Sequence, residues 1–377
     1  MIRRIAILGV ACCATLVAQQ PNSPQAALVL DGQGGLVWPA SIAVRNGLAS
    51  SIAVSGGPNR PFAVCASATG LLAVGAVVTG GGTCDLPLAP APIVVFDGFA
   101  QPTVFNTGSG STWSLPVGIP SSVAVGSRHA FQAIVATPAS PTGWTLSGAT
   151  DVAVQQGPIT TTFALGDDGV LPVPLPAGVA IPFYGTSYTS LFVCVNGFVT
   201  FGGPDSDFTP TEFEFNFGLP RLAPFWTDLV QGSGAVRAIV DASPPSGIPT
   251  VRIEWSGVSD FGGAGFTHDF AVDIDALGAL TISWPVTNFA SIYSTLIGIG
   301  PGYGLSQAGI KDLGTLRTQA PLGGVNESFY EWFGLASMPG YTPGVNRPYD
   351  LAGLALHFLP SGSGTTPASI STRYVMY

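Results

Sequence analysis

The chain has 377 residues and a formal charge of −9, and only 9% of its residues are charged, against about 25% in an average soluble domain. A single lysine beside eleven arginines, with no basic run, leaves little to neutralise a phosphate backbone and argues against nucleic-acid binding. Its 50 glycines and 33 prolines fall short of the fraction that marks low-complexity disorder, and 46% hydrophobic content supports a folded core.

At the start, Arg3 and Arg4 precede the apolar run Ile5 to Val10, Ala11 to Ala14 follow, and Leu16-Val17-Ala18 ends on a small residue. This layout predicts a signal peptide, residues 1–18, cleaved near Ala18. A membrane anchor needs about 20 apolar residues, whereas this run is shorter and meets Gln19, Gln20 and Pro21. A lipoprotein reading would modify Cys12 or Cys13, but Gly9 stands where the lipobox wants Leu. No later segment could span a bilayer, so the mature chain is expected to be soluble and outside the cytoplasm, secreted or associated with the cell surface.

Removing residues 1–18 leaves 10 basic and 21 acidic residues, unevenly placed. Residues 19 to 150 carry Asp31, Asp85 and Asp97 against Arg45, Arg60 and Arg128, whereas the remainder holds 18 acids against seven basic residues. That shift, with the Gly- and Pro-bearing stretch from Gln155 to Pro176, predicts two domains, residues 28–157 and 158–377.

In the first domain, Ser51 to Val54, Phe62 to Ser67, Ile93 to Phe96, Ser122 to Val125, Ala130 to Val135 and Asp151 to Val154 are candidate strands, spaced as in a small sandwich. Three cysteines survive cleavage, Cys65, Cys84 and Cys194. An oxidising compartment makes a bridge between Cys65 and Cys84 the favoured pairing, worth about 3 kcal/mol in the chain-entropy model. Cys194, in the apolar strand Leu191-Phe192-Val193-Cys194-Val195, is expected to be a buried thiol. The stretch Gly126-Ser127-Arg128-His129-Ala130-Phe131-Gln132-Ala133, followed by Gly143-Trp144-Thr145-Leu146-Ser147, resembles a sandwich module recurrent in bacterial secreted proteins.

In the second domain, Asn196-Gly197 between Phe192–Val195 and Phe198–Phe201 is a hairpin signal. Thr211 to Gly218 alternates Glu212, Glu214 and Asn216 with Phe213, Phe215 and Phe217, which predicts a half-buried strand with three rings inward. The same period recurs in Val251 to Trp255, in Asp269 to Asp275 with Phe270, Val272 and Ile274 buried, and in Thr281 to Trp284; Asn326 to Phe333 could make one or two helical turns. The fold class expected is all-β, two antiparallel β-sandwich domains.

Ile181-Pro182-Phe183-Tyr184-Gly185, Tyr188, Val193-Cys194-Val195-Asn196-Gly197-Phe198-Val199-Thr200-Phe201 and Leu222-Ala223-Pro224-Phe225-Trp226-Thr227-Asp228-Leu229 are similar in order and spacing to nidogen-like (NIDO) domains. Arg252-Ile253-Glu254-Trp255, His268 to Ile274 and Leu296 to Gly300 continue the likeness over about residues 170–305, with Cys194 in place of a small polar residue. The resemblance implies an extracellular, non-catalytic module of matrix and adhesion-type proteins.

The acidic second domain offers one metal reading. A hard cation wants six to eight oxygens, and Asp205, Asp207 and Asp228, with Glu212 and Glu214, are the candidate calcium ligands. The alternation sets Glu212 and Glu214 along one solvent face and no EF-hand order is present, so solvated loop acids are expected instead, with no cofactor; Asp228 is expected to accept backbone hydrogen bonds in its turn. No complete GxSxG, HExxH or Walker loop occurs, and His129, His268 and His357 are scattered singles. The expectation is a non-enzyme that binds an extracellular protein or glycan. A carbohydrate-binding or carbohydrate-active role is the alternative, with Glu254 and Asp273 or Glu212 as its carboxylates.

Overall fold

A computed structural model describes residues 26–33, 40–68, 71, 76–78, 82–86, 91–263, 266–285, 291–306, 310–316, 325–334, 349–361 and 373–376. The expected signal peptide, with Cys12 and Cys13, lies outside the described residues. The chain divides into two compact units, residues 1–157 and 158–377.

The first unit contains β1 (Ala27–Leu30), β2 (Ala40–Arg45), β3 (Ala49–Ser55), β4 (Phe62–Ser67), β5 (Ala76–Val78), β6 (Gly82–Cys84), β7 (Ile93–Asp97), β8 (Thr112–Gly118), β9 (Arg128–Ala136), β10 (Trp144–Leu146) and β11 (Thr150–Gln155). One sheet has the order β1-β3-β8, and the other β2-β11-β9-β4-β7 with β10 added to β9. Among the described strands only β2 and β11 run parallel, pairing Ile42 with Val152 and Val44 with Val154. Alternation sends Leu28, Ile52 and Val54 into a core shared with Phe62, Val64, Ala133 and Val135. Pro116 is accommodated because β8 is an edge strand, where a missing ladder donor costs nothing.

Ser122 to Val125 is not the strand expected from its sequence. It forms turns, Val123 N donating to Pro120 O (3.1 Å) and Ser127 N to Ala124 O (3.1 Å), and the Asn46 amide donates to Ser121 O and Val123 O. The unit closes at Gly157, whose N–H donates to Asn46 Oδ1 (2.7 Å) and where a Cβ would lie 1.8 Å from Asn46 O.

The second unit begins with β12 (Ile159–Phe163), β13 (Val170–Pro174), β14 (Ile181–Phe183), β15 (Thr186–Tyr188), β16 (Ser190–Cys194), β17 (Phe198–Phe201), α1 (Glu212–Phe217), β18 (Arg221–Trp226) and β19 (Leu229–Val230). It continues with β20 (Ala235–Asp241), β21 (Thr250–Asp260), β22 (Thr267–Asp275), β23 (Leu280–Ser283), β24 (Thr295–Gly300), α2 (Leu313–Leu316), β25 (Phe329–Phe333), β26 (Ala355–Pro360) and β27 (Tyr374–Met376). One antiparallel sheet runs β12-β20-β21-β22-β23-β26-β27 with β19 beside β21; the other runs β13-β16-β17-β18-β24-β25. The all-β, sandwich-like fold expected from the sequence is present in both units.

Trp255, Phe270, Val272 and Ile274 of the first of these sheets share a core with Val193, Val199, Leu222 and Phe225 of the second. Two buried indoles find acceptors across the layers: Trp255 Nε1 donates to Cys194 O (3.0 Å) and Trp284 Nε1 to Pro224 O (2.9 Å). The β18–β24 register shifts between Ala223 and Trp226, where Pro224 has no N–H to give the ladder. Residues beyond 305 are integral to this core, since Phe329, Leu356, Phe358, Tyr374 and Met376 all enter it.

Three local expectations are corrected. Thr211 to Gly218 holds the helix α1, not a strand. Thr211 caps it: its Oγ1 accepts from Glu214 N (3.0 Å) and donates to Glu214 Oε2 (2.9 Å), the Thr-x-x-Glu spacing of a capping box. At 3.6 residues per turn, Phe213 and Phe217 lie about 40° apart and Phe215 on the opposite side. Phe215 is accordingly fully buried, whereas Phe213 and Phe217 are 69% and 54% exposed and stack on each other at 5.0 Å.

Asn326 to Phe333 contains the strand β25 rather than helical turns, because its aromatics pair with β24 and bury against both layers. The Asn196-Gly197 hairpin exists, but Cys194 pairs with Phe198 and leaves a three-residue loop in which only Gly197 has positive φ, +77°. A Cβ at Gly197 would lie 2.0 Å from Phe225 O, so the turn requires glycine twice over.

Candidate functional site

The acids singled out by the sequence separate into two groups around one buried asparagine. Asn196 is fully buried; its amide nitrogen donates to Asp168 Oδ1 (2.8 Å) and Asp207 O (3.4 Å), and its Oδ1 accepts from Leu229 N (2.9 Å). That last bond fills the role expected of Asp228, whose carboxylate takes no backbone hydrogen bond among the described residues. The side chain of the turn thus fastens β16–β17 to the start of β19.

On one side, the carboxylates of Asp167, Asp168 and Asp228 lie within 4.8 Å of one another. Burial, then the charges of Asp168, Asp167 and Asp260, push the Asp228 carboxyl up to about 6. Three convergent carboxylates have the oxygen chemistry a hard divalent cation uses. Asp228 therefore keeps the company of acids in the loop before β13, Asp167 and Asp168, which the sequence pattern did not single out.

On the other side, Asp205 and Asp207 are tied to Arg221 and α1. Arg221 is fully buried, ion-paired with Asp205, and its guanidinium lies 4.5 Å from the Phe198 ring centre and 3.9 Å from that of Trp226. Burial lowers its pKa against the pull of Asp205, Glu214 and Asp207. Asp205 Oδ1 accepts from Asp207 N (3.0 Å), Asp207 Oδ1 from Thr209 N (2.8 Å) and Asp207 O from Trp226 Nε1 (3.2 Å). These are turn-forming acids with backbone partners. Glu214 is pushed up to about 7, first by burial and then by Asp207 beside it, with Thr211 acting in the opposite direction.

This network anchors α1 and the surface it displays. Phe215 packs on Tyr330 at 5.0 Å beneath the helix, and the Tyr330 hydroxyl donates to Glu212 Oε1 (2.9 Å). Gly304 N donates to Asn216 O (2.8 Å) and the glycine lies against the Phe217 ring, where a Cβ would come within 2.9 Å of it. The result is an exposed, stacked aromatic pair, Phe213 and Phe217, on the outer side of α1.

Groups that could suggest hydrolysis are arranged otherwise. Glu254 and Asp273 are both held by Arg252, at 2.6 Å each, on the outer face of β21 and β22, so one guanidinium compensates both carboxylates. His268, Asp260 and Ser291 are buried together, but Asp260 Oδ1 takes both His268 Nε2 (2.8 Å) and Ser291 Oγ (2.9 Å). The carboxylate stands between serine and imidazole, whereas nucleophilic activation requires the imidazole in the middle.

The cysteines are thiols in the structure, and the expected Cys65–Cys84 bridge is not formed. Both nevertheless belong to one small cluster with Leu86 and Ala130, and Cys84 Sγ donates to Leu86 O (3.8 Å). Burial pushes Cys65 up to about 11 and disfavours the thiolate that would attack a disulfide or oxidant. Cys194 is fully buried against Phe198 and Trp226, its thiol pushed up to about 12 by burial.

Comparison with known proteins agrees with the quoted motifs. Residues 139–274 match the family described as NIDO related. The matched stretch begins in the last part of the first unit and ends in β22, so the likeness lies mainly in the first half of the second domain. Within the matched stretch the motif residues Asn196, Gly197, Phe225 and Trp226 are buried and serve the fold. Among solved structures, the titin domains Z1Z2 in complex with telethonin are similar at 10% identity, covering 64% of this chain and 91% of that one, with a TM-score of 0.17. No curated protein matches the chain. Among the described residues no helix is long and apolar enough to cross a membrane.

Proposed function

We propose that this is an exported, non-catalytic binding or structural protein of adhesion or matrix type, whose NIDO-like domain makes contact through the α1 surface. The observation that supports this reading is the pair Phe213 and Phe217, stacked and largely exposed on a helix capped by Thr211 and fixed from below by Phe215 on Tyr330. Large apolar rings in solvent cost free energy in a free monomer, and aromatic residues on a rigid support are what interface hot spots are made of. Export is supported by the N-terminal pattern, and by the extracellular setting that the NIDO resemblance implies. The Cys65–Cys84 bridge belongs to the same proposal, since one cluster already holds both thiols.

A second reading, carbohydrate binding, draws on the acidic character of this second domain and on the same exposed rings. Parallel screening of the mature protein on a glycan array and against extracellular proteins separates the two. In either case, replacing Phe213 and Phe217 together by Ser is expected to abolish capture, while the fold persists. Retention of capture by the folded double variant rules out the α1 surface, and turnover of a captured glycan rules out a non-catalytic role.

A further inference from the structure

We infer that the first unit contains a binding site for a small, neutral, largely apolar molecule that carries one hydrogen-bonding group. Between its two sheets lies a cavity of about 280 Å³. Ile52 and Val117 of β3 and β8 form one wall, and Phe96, Phe131 and Val152 of β7, β9 and β11 the other. A sandwich core normally interdigitates with few voids larger than a water molecule. Here the inner faces do not close. Leu115 stands directly opposite Ile52 in the β3–β8 ladder, hence on the same face, yet it is 38% exposed. Phe96, Val117 and Phe131 are likewise only half-buried although they belong to the core-facing set. The gap lies towards β7 and β8, each the edge strand of its sheet, which gives a ligand a path from solvent.

Size and polarity define the occupant. An apolar cavity of about 150 Å³ stays dry and takes up benzene, so this one suits a molecule of roughly two such rings. Two of the polar lining groups are already committed: Asp31 accepts from Ser50 Oγ (2.5 Å) through one carboxylate oxygen and from Ser51 N (2.6 Å) and Ser51 Oγ (3.3 Å) through the other. His129 is different. It sits on the core-facing side of β9 opposite Val152 and lines the cavity, and its ring makes no hydrogen bond among the described residues. Its ring can give or accept one hydrogen bond, which selects a hydroxyl or carbonyl on an otherwise apolar ligand. No carboxylate, lysine or arginine lines the space, so a charged ligand would lose its hydration without compensation.

The test uses the full mature chain with 2-naphthol and naphthalene as probes, followed by calorimetric titration and by thermal melting. One equivalent of each probe should bind saturably and raise the first unit's melting temperature. Val117→Trp, which fills the cavity, should weaken both probes at least tenfold. His129→Leu should weaken 2-naphthol severalfold and leave naphthalene within twofold. Val123→Phe, on the half-buried turn at the same cavity, provides the same test should Val117→Trp fail to fold. Absence of saturable binding to the wild type, or unchanged binding in a folded cavity-filled variant, overturns the site. Equal effects of His129→Leu on both probes overturn the role given to His129.

Discussion

Replacing Phe215 by Ala tests the helix α1 and its anchoring against the alternating strand that the same residues suggest. Phe215 is fully buried, meets Tyr330 at 5.0 Å, and presses so closely on Gly300 that a Cβ there would lie 2.9 Å from its ring. Truncating such a side chain costs about 3 to 5 kcal/mol. For a domain of this size that is a fall of about 6 to 20 °C in melting temperature, at 2 to 4 °C per kcal/mol. Phe213→Ala and Phe217→Ala remove exposed rings and one i,i+4 contact, worth about 0.5 kcal/mol or less. Thr211→Ala, which removes the cap, should cost about 1 kcal/mol. Differential scanning calorimetry of the full chain, read on the transition of the second unit, measures all four variants. Equal large losses at Phe213, Phe215 and Phe217 would rule out the helix and restore a strand with three rings inward.

Glu214, pushed up to about 7, holds a proton in the folded state that the unfolded chain releases near the ordinary carboxyl value of 4.5. Its contribution to stability should therefore rise as pH falls from 7 towards 4.5, and Glu214→Gln should remove that share of the rise and leave the share that Asp228, raised to about 6, adds below that pH. Asp228, crowded by Asp167 and Asp168, should relieve repulsion when neutralised: in chelator at pH 8, Asp228→Asn should stabilise by up to about 1 kcal/mol. A destabilised variant would assign that carboxylate a ligand or partner. Thiol counting on the unfolded, unreduced exported chain should find one thiol, Cys194; three thiols would remove the Cys65–Cys84 bridge from the proposal.

The sheets were legible where period and burial agree. Val251 to Trp255, Asp269 to Asp275 and Thr281 to Trp284 each bury one face of a sheet, so a two-residue period shows through and β21, β22 and β23 follow. Thr211 to Gly218 shares that period by composition alone, and the capping pair Thr211 and Glu214, also visible in the sequence, decides for the helix. β25 misled in the opposite direction, since a strand buried on both faces shows no alternation. The acids were legible as a set but not in their grouping: Asp228 and Asp205 lie only 23 positions apart, yet Asn196 from another strand pair parts them. The cavity beside His129 depends on how two sheets splay, which no local pattern encodes.

The most direct test of the central claim, that an anchored aromatic surface on a NIDO-like domain makes the contact, is a binding isotherm. The partner captured in the glycan or protein screen is titrated against the mature wild type and against Phe213→Ser/Phe217→Ser, with calorimetry confirming that both are folded. The double variant should bind with at least a tenfold weaker dissociation constant, and the bound partner should undergo no chemical change. An unchanged constant in the folded variant, or conversion of the partner to a product, would contradict that claim.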